Sequence, residues 1–111
     1  MLFRSRSEKR IDLTEEARVA LGIEAGISGL TPAELISHIL RAPVDILWNG
    51  GIGTYVKATS QTHADVGDRA NDAIRINGAE LRCTIIGEGG NLGLTQLGRI
   101  EAAVKIGRAH V

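Results

Sequence analysis

The alternation of apolar and polar positions divides the chain into helical and extended stretches. Leu13–Gly22 has a helix signature: Thr14 is a natural N-cap, Glu15 and Glu16 suit the positive first turn, and Gly22 suits the stop. Three glycines between Gly22 and Gly29 predict a loop. Thr31-Pro32-Ala33-Glu34 is a capping box with proline at the first helical position, and Leu35, Ile36, Ile39 and Leu40 then form one apolar stripe. Pro43 ends that helix, because the residue before a proline is pushed out of the α region. Val44–Trp48 is a short apolar run that reads as a buried parallel strand, and Asn49-Gly50-Gly51-Ile52-Gly53-Thr54 follows at its carboxyl end. Val56–Gln61 has no clear period, and polar Thr62–Ala73 has room for a short helix. Ile74–Ile86 has two readings, a hairpin turning at Asn77-Gly78 or a loop leading into one strand, Arg82–Ile86, and the single strand is the better fit. A second glycine loop, Gly87 to Gly93, precedes Thr95, which can cap a last helix from Gln96 to about Val104 with Leu97, Ile100, Ala103 and Val104 as its apolar side.

The order of helix, strand, glycine loop, irregular segment, strand, glycine loop and helix predicts an α/β fold, a partial Rossmann-like parallel sheet with flanking helices. At 111 residues the chain has room for one small domain. Thirteen basic and thirteen acidic residues give a formal net charge of zero, so the basic excess used to hold nucleic acid or an anionic membrane surface is missing. Cys83 is the single cysteine, which rules out an internal disulfide and fits a cytoplasmic setting. No apolar run approaches the roughly 20 residues that span a bilayer.

Ligands of open parallel sheets bind outside the carboxyl ends of the strands. Both glycine loops belong there, and glycine lets backbone N–H groups come close to a nucleotide ribose or pyrophosphate. A helix starting near Thr95 adds a positive dipole end. Gly87, Gly89 and Gly93 make a loose glycine pattern rather than the standard dinucleotide fingerprint, and tight turns are the plainer account of their spacing. Asn49 and Asn91 each bring an amide to a glycine loop, where a turn asparagine is the plainer reading. His63, Asp65 and Asp68 have no metal-specific spacing, so no metal site is assigned. Asp65, Asp68, Arg69, Asp72 and Arg75 read as a charged face with local ion pairs, Cys83 as a small core residue, and Lys57 as an exposed loop lysine.

The two ends have a separate peculiarity. Met1–Ser5 and Lys105–His110 can be written as one DNA string read on opposite strands, and that string looks like a short-read sequencing adapter whose continuation supplies Val111. The expectation is that residues 1–5 and 105–111 are non-native and that 6–104 is part of a larger nucleotide-binding domain.

Three strings carry a family likeness: Ala42 to Ala58, which contains Trp48-Asn49-Gly50-Gly51-Ile52-Gly53; Thr62 to Arg75; and Gly87 to Glu101, which contains Gly87-Glu88-Gly89-Gly90-Asn91-Leu92-Gly93. They resemble the large NAD-specific glutamate dehydrogenases of bacteria. The resemblance implies oxidation of L-glutamate to 2-oxoglutarate and ammonia with NAD, in a homo-oligomeric cytoplasmic parent. Glu88-Gly89-Gly90-Asn91 looks like the Glu-Gly-Ala-Asn loop beside the nicotinamide in the small hexameric enzymes, with Gly90 in place of alanine and Gly93 in place of proline. The implied cofactor-binding residues are therefore Asn49, Gly50, Gly51 and Gly53 on one loop and Glu88, Gly89, Gly90 and Asn91 on the other. The first glycine fingerprint, the substrate lysines and the catalytic aspartate of such enzymes have no counterpart, so no catalytic residue is assigned. The isolated chain is expected to be inactive and poorly stable. Two other readings compete: a free-standing nucleotide-binding module, and an interaction piece docking through the Leu35–Leu40 stripe.

Overall fold

The computed structural model describes residues 10–89, 93–106 and 109–110, with the backbone alone for 105, 106, 109 and 110. Strand β1 (Ile11–Asp12) pairs antiparallel with β2 (Gly29–Leu30), enclosing helix α1 (Glu15–Ala20). Sequence pattern did not mark this small sheet. Helix α1 starts where Thr14 Oγ1 accepts the Ala17 amide at 3.0 Å. Helix α2 (Pro32–Leu40) has the full capping box: Thr31 Oγ1 accepts from Glu34 N, and Glu34 Oε1 accepts from Thr31 N. Both starts follow from the sequence, because a cap depends on residues three apart and needs no tertiary partner.

Strand β3 (Ile46–Asn49) runs parallel to β6 (Ile85–Glu88), and β6 also pairs in parallel with β7 (Ala109–His110). Between β3 and β6 lie β4 (Val56–Lys57), helix α3 (His63–Val66) and β5 (Ile76–Asn77), with β4 and β5 forming a two-stranded parallel sheet. The region from Ile74 to Ile86 contains no hairpin. Asn77 leads into a 3₁₀ turn over Gly78–Glu80 instead of a two-residue reversal, and the strand begins at Ile85 rather than Arg82. The described chain is thus α/β, with short parallel and antiparallel sheets and four helices.

The core gathers Val56, Ile76, Leu81, Cys83, Ile86, Leu94 and Ala102, with Leu40 at its edge and Leu47 and Tyr55 packed against it. Two sequence expectations are corrected here. Strand β3 is not buried on both faces: Ile46 is 58% and Trp48 59% exposed, since no described element covers that side of the sheet. Helix α4 (Gln96–Ile106) turns Gly98 and Ala102 inward and leaves Leu97, Ile100 and Val104 exposed. The cause is close approach, since a Cβ on Gly98 would stand 2.9 Å from the Lys57 carbonyl carbon and 3.0 Å from its Cα. Only the small side of the helix fits so near to strand backbone. Lys57, read as an exposed lysine, is buried as well, with its ammonium donating to Asn77 Oδ1 at 2.5 Å.

Candidate functional site

The parallel pairing of β3 and β6 brings the two glycine loops together. The register sets Trp48 opposite Gly87 and Asn49 opposite Glu88, so both loops leave the sheet side by side at strand carboxyl ends. Gly89 N donates to Asn49 O at 3.0 Å and extends the ladder one step beyond the strands. Tyr55 N and Val56 N both donate to Gly93 O, at 2.8 and 3.2 Å, closing the second loop onto the end of the first. Gly90 and Asn91 lie outside the described residues.

Asn49 is 5% exposed, and its Nδ2 is buried with no hydrogen-bond partner among the described residues. Such a donor costs about 1–3 kcal/mol unless something accepts from it. Its side chain lies against Gly93, where an added Cβ would be 3.0 Å from Asn49 Cβ. An orphaned amide between two glycine loops is the kind of donor that a ligand oxygen or ring acceptor would satisfy.

Glu88 and Gly89 have partners within the chain. Glu88 Oε1 accepts from Gly93 N and Leu94 N at 3.1 and 3.3 Å, and Oε2 accepts from Arg99 Nε and Nη2 at 3.2 and 2.9 Å. The carboxylate joins the second loop to the first turn of α4. The indole of Trp48 lies over β6, where Cβ atoms on Gly87 and Gly89 would fall 2.1 and 2.5 Å from ring carbons. These two positions are glycine because a tryptophan occupies the space a side chain would need.

The first loop is held from outside. Thr54 N donates to Asp68 Oδ2 at 2.9 Å and Thr54 O accepts from Arg75 Nε at 2.7 Å. Asn71 Nδ2 donates to the same Asp68 oxygen at 2.7 Å, and a Cβ on Gly53 would lie 2.4 Å from that nitrogen. Gly53 also has φ +127°, a conformation that L side chains rarely adopt. The Asn71 hydrogen bond and then the Thr54 amide hold the Asp68 carboxyl below the usual aspartate range; burial opposes them, and the Arg75 charge adds a weaker pull in their direction. Arg75, expected on a charged surface, has a fully buried side chain. It reaches Asp72 Oδ1 at 2.7 Å, Asp68 O at 2.6 Å and His63 Nδ1 at 3.0 Å. A guanidinium only donates, so His63 Nδ1 is the acceptor there. The sequence signal for this arrangement was present but weak, an arginine next to an apolar strand start at Ile76.

The other sequence candidates are scattered. Asp65 caps α3 by accepting from Thr62 N at 2.8 Å, so it does not join His63 in a ligand set. Gly50 and Gly51 lie on the first loop near Trp48 and Tyr55, respectively. In the Leu35–Leu40 stripe, Leu40 is buried, Leu35 and Ile36 are half-buried and Ile39 is exposed.

Residues 2–111 match the family described as bacterial NAD-glutamate dehydrogenase, catalytic domain. Among curated proteins, the NAD-specific glutamate dehydrogenase of Pseudomonas aeruginosa is 58% identical over 96 residues, covering 86% of this chain. The proteins of the same name from Mycobacterium tuberculosis and Halomonas elongata are 54% identical over 110 residues and 56% identical over 100, covering 96% and 90% of this chain. The chain spans only 6–7% of the length of these relatives.

Proposed function

The chain belongs to the bacterial NAD-glutamate dehydrogenase catalytic-domain family, and we propose that it forms part of the cofactor cleft of an enzyme that oxidatively deaminates L-glutamate to 2-oxoglutarate and ammonia. The observation that carries this reading is the buried Nδ2 of Asn49, unpartnered among the described residues and set where two glycine loops leave neighbouring parallel strands. In this reading Asn49, Gly50, Gly51 and Gly53 line one side and Glu88 and Gly89 the other, while Gly90 and Asn91, outside the described residues, remain candidates from the sequence alone. In this division of labour the Asn49 amide donates to the cofactor, while Glu88 and Gly89 keep the two loops in register through Gly93, Arg99 and Asn49 O. The pairing of β3 with β6 is then a piece of a larger Rossmann-like sheet contributed by residues 6–104.

Bound NAD supplies the acceptor for the hydride that leaves the glutamate α-carbon. This segment orients that acceptor and excludes water beside it; proton transfer is left to residues elsewhere in the longer protein. The parent is read as a homo-oligomeric cytoplasmic enzyme without nucleic-acid or membrane partners, and among the described residues no helix is long and apolar enough to cross a membrane. In the full-length enzyme, Asn49→Ala is expected to raise KM for NAD about tenfold, as loss of one well-placed hydrogen bond would, and to leave KM for glutamate within about twofold. An unchanged KM for NAD would remove Asn49 from the cleft. The purified 111-residue chain is expected to give no glutamate-dependent NADH signal, and any such turnover would contradict the fragment reading.

A further inference from the structure

Resting on the cofactor-cleft reading, we infer that Asp68 and Arg75 are positioning residues that fix the first glycine loop, and with it Asn49, by clamping one residue through the two peptide groups that flank it. The clamp is at Thr54, the last residue of the loop. Its N–H is held by the Asp68 carboxylate at 2.9 Å and its C=O by Arg75 Nε at 2.7 Å. Hydrogen bonds to charged groups are the stronger kind, and two on one residue restrain both its position and its orientation. The clamp is itself braced. Arg75 Nη2 donates to Asp68 O at 2.6 Å and stands 3.6 Å from Asp68 Oδ2, while Asn71 Nδ2 approaches the same carboxylate oxygen at 2.7 Å.

Two further observations tie the clamp to the loop. The Asn71 amide occupies the space a Cβ on Gly53 would take, so loop and clamp interlock at that glycine. Arg75 immediately precedes β5, and Ile76 N donates to Tyr55 O at 2.9 Å, so the guanidinium is anchored to the strand pair that follows the loop. A buried arginine whose nitrogens meet Thr54, Asp68, Asp72 and His63 has few alternative rotamers, and the loop inherits that rigidity. None of these side chains needs to touch the cofactor for its affinity to depend on them.

The test uses the full-length enzyme, with Asn49→Ala measured alongside. Asp68→Ala removes the acceptor, whereas Asp68→Asn keeps an oxygen that can accept from both Thr54 and Asn71. In Asp68→Ala, hydrogen exchange of the peptide spanning residues 50–55 should speed up at least about tenfold, and KM for NAD should rise about tenfold with kcat within about threefold. Asp68→Asn should restore most of both. Should Asp68→Ala fail to fold, Asn71→Ser, which loses only one brace, should show the same changes at about a third of the size. Unchanged exchange in a folded clamp variant overturns the inference. Faster exchange with a flat KM for NAD, while Asn49→Ala still raises it, also overturns the inference but leaves the cofactor cleft standing. A KM for NAD flat in every variant, Asn49→Ala included, overturns the cleft and the inference together.

Discussion

The half of the molecule built on β4, β5 and the inner side of α4 is closed, whereas the outer side of β3 and the outer side of α4 are open. In the closed half Val56 and Leu94 have no exposed surface, and Ile74, Cys83 and Ala102 retain 1%. In the open half Ile46 and Trp48 are more than half exposed, as are Leu97, Ile100 and Val104. Large apolar side chains occur in both, so hydrophobicity alone does not separate them. Close approach does. Gly98 and Ala102 let a helix lie directly on strand backbone, and a Cβ on Gly78 would stand 2.6 Å from Gly98 O, so turn and helix touch without side chains between them. The open faces carry large side chains with nothing described above them. The chain covers 6–7% of its relatives' length, and we propose that other parts of the longer protein occupy those faces.

The largest expected effect comes from opening a cavity in the closed half. Leu94 is fully buried, sits between the second glycine loop and α4, and bridges in parallel to Val56. Leu94→Ala should cost about 2–5 kcal/mol in urea denaturation of the chain. On a chain of marginal stability, a loss of that size would abolish the cooperative transition altogether. An effect below about 1 kcal/mol would mean that the closed half is not the folding core. Gly98→Ala should come next, at about 1–3 kcal/mol, because its added methyl meets backbone atoms of Lys57 that cannot rotate away.

The starts of α1 and α2 were legible in the sequence because Thr14 and Thr31 act on amides three residues away, and Thr62 does the same for α3 without having been singled out. The strand carboxyl ends were legible to within two residues, read at Trp48 and Ile86 and found at Asn49 and Glu88, since each apolar run is followed closely by glycines. The side of α4 that faces inward was not. Leu97, Ile100 and Val104 form the larger apolar stripe, and only the distance to Lys57 shows that the small residues win. Nor could the pattern separate the buried Arg75 from its exposed neighbours. Its burial depends on Thr54, 21 residues away, offering a carbonyl. Among the candidate site residues, the sequence named Asn49, but that its amide is buried without a partner among the described residues is a fact of packing.

Trp48 tests the open half. Its ring covers Gly87 and Gly89 on one face and meets solvent on the other. Trp48→Ala should therefore cost the chain only about 1–2 kcal/mol, less than Leu94→Ala although the side chain is larger. The two substitutions thus sharpen the contrast when measured side by side. A Trp48 loss equal to or above that of Leu94 would show that the outer face of β3 is a core in its own right, and the division into closed and open halves would fail.

The smallest effect on stability is expected at Ile100, 57% exposed on the outer side of α4 between Leu97 and Val104. Ile100→Ser should change the unfolding free energy by no more than about 0.5 kcal/mol, since an exposed side chain loses little on truncation. Solution behaviour should change more. An apolar stripe along two turns of helix, beside the shallow groove at Ala58 and Ser60, is the kind of surface that drives self-association when nothing covers it. The variant should stay monomeric at concentrations where the parent chain associates, as read by sedimentation velocity. In the full-length enzyme the order reverses if a neighbouring element packs there: the same serine is then buried, and the cost should rise to about 2 kcal/mol or more. An effect that is small in both settings would show that this side of α4 faces solvent throughout, leaving the outer face of β3 alone as the surface awaiting a neighbour.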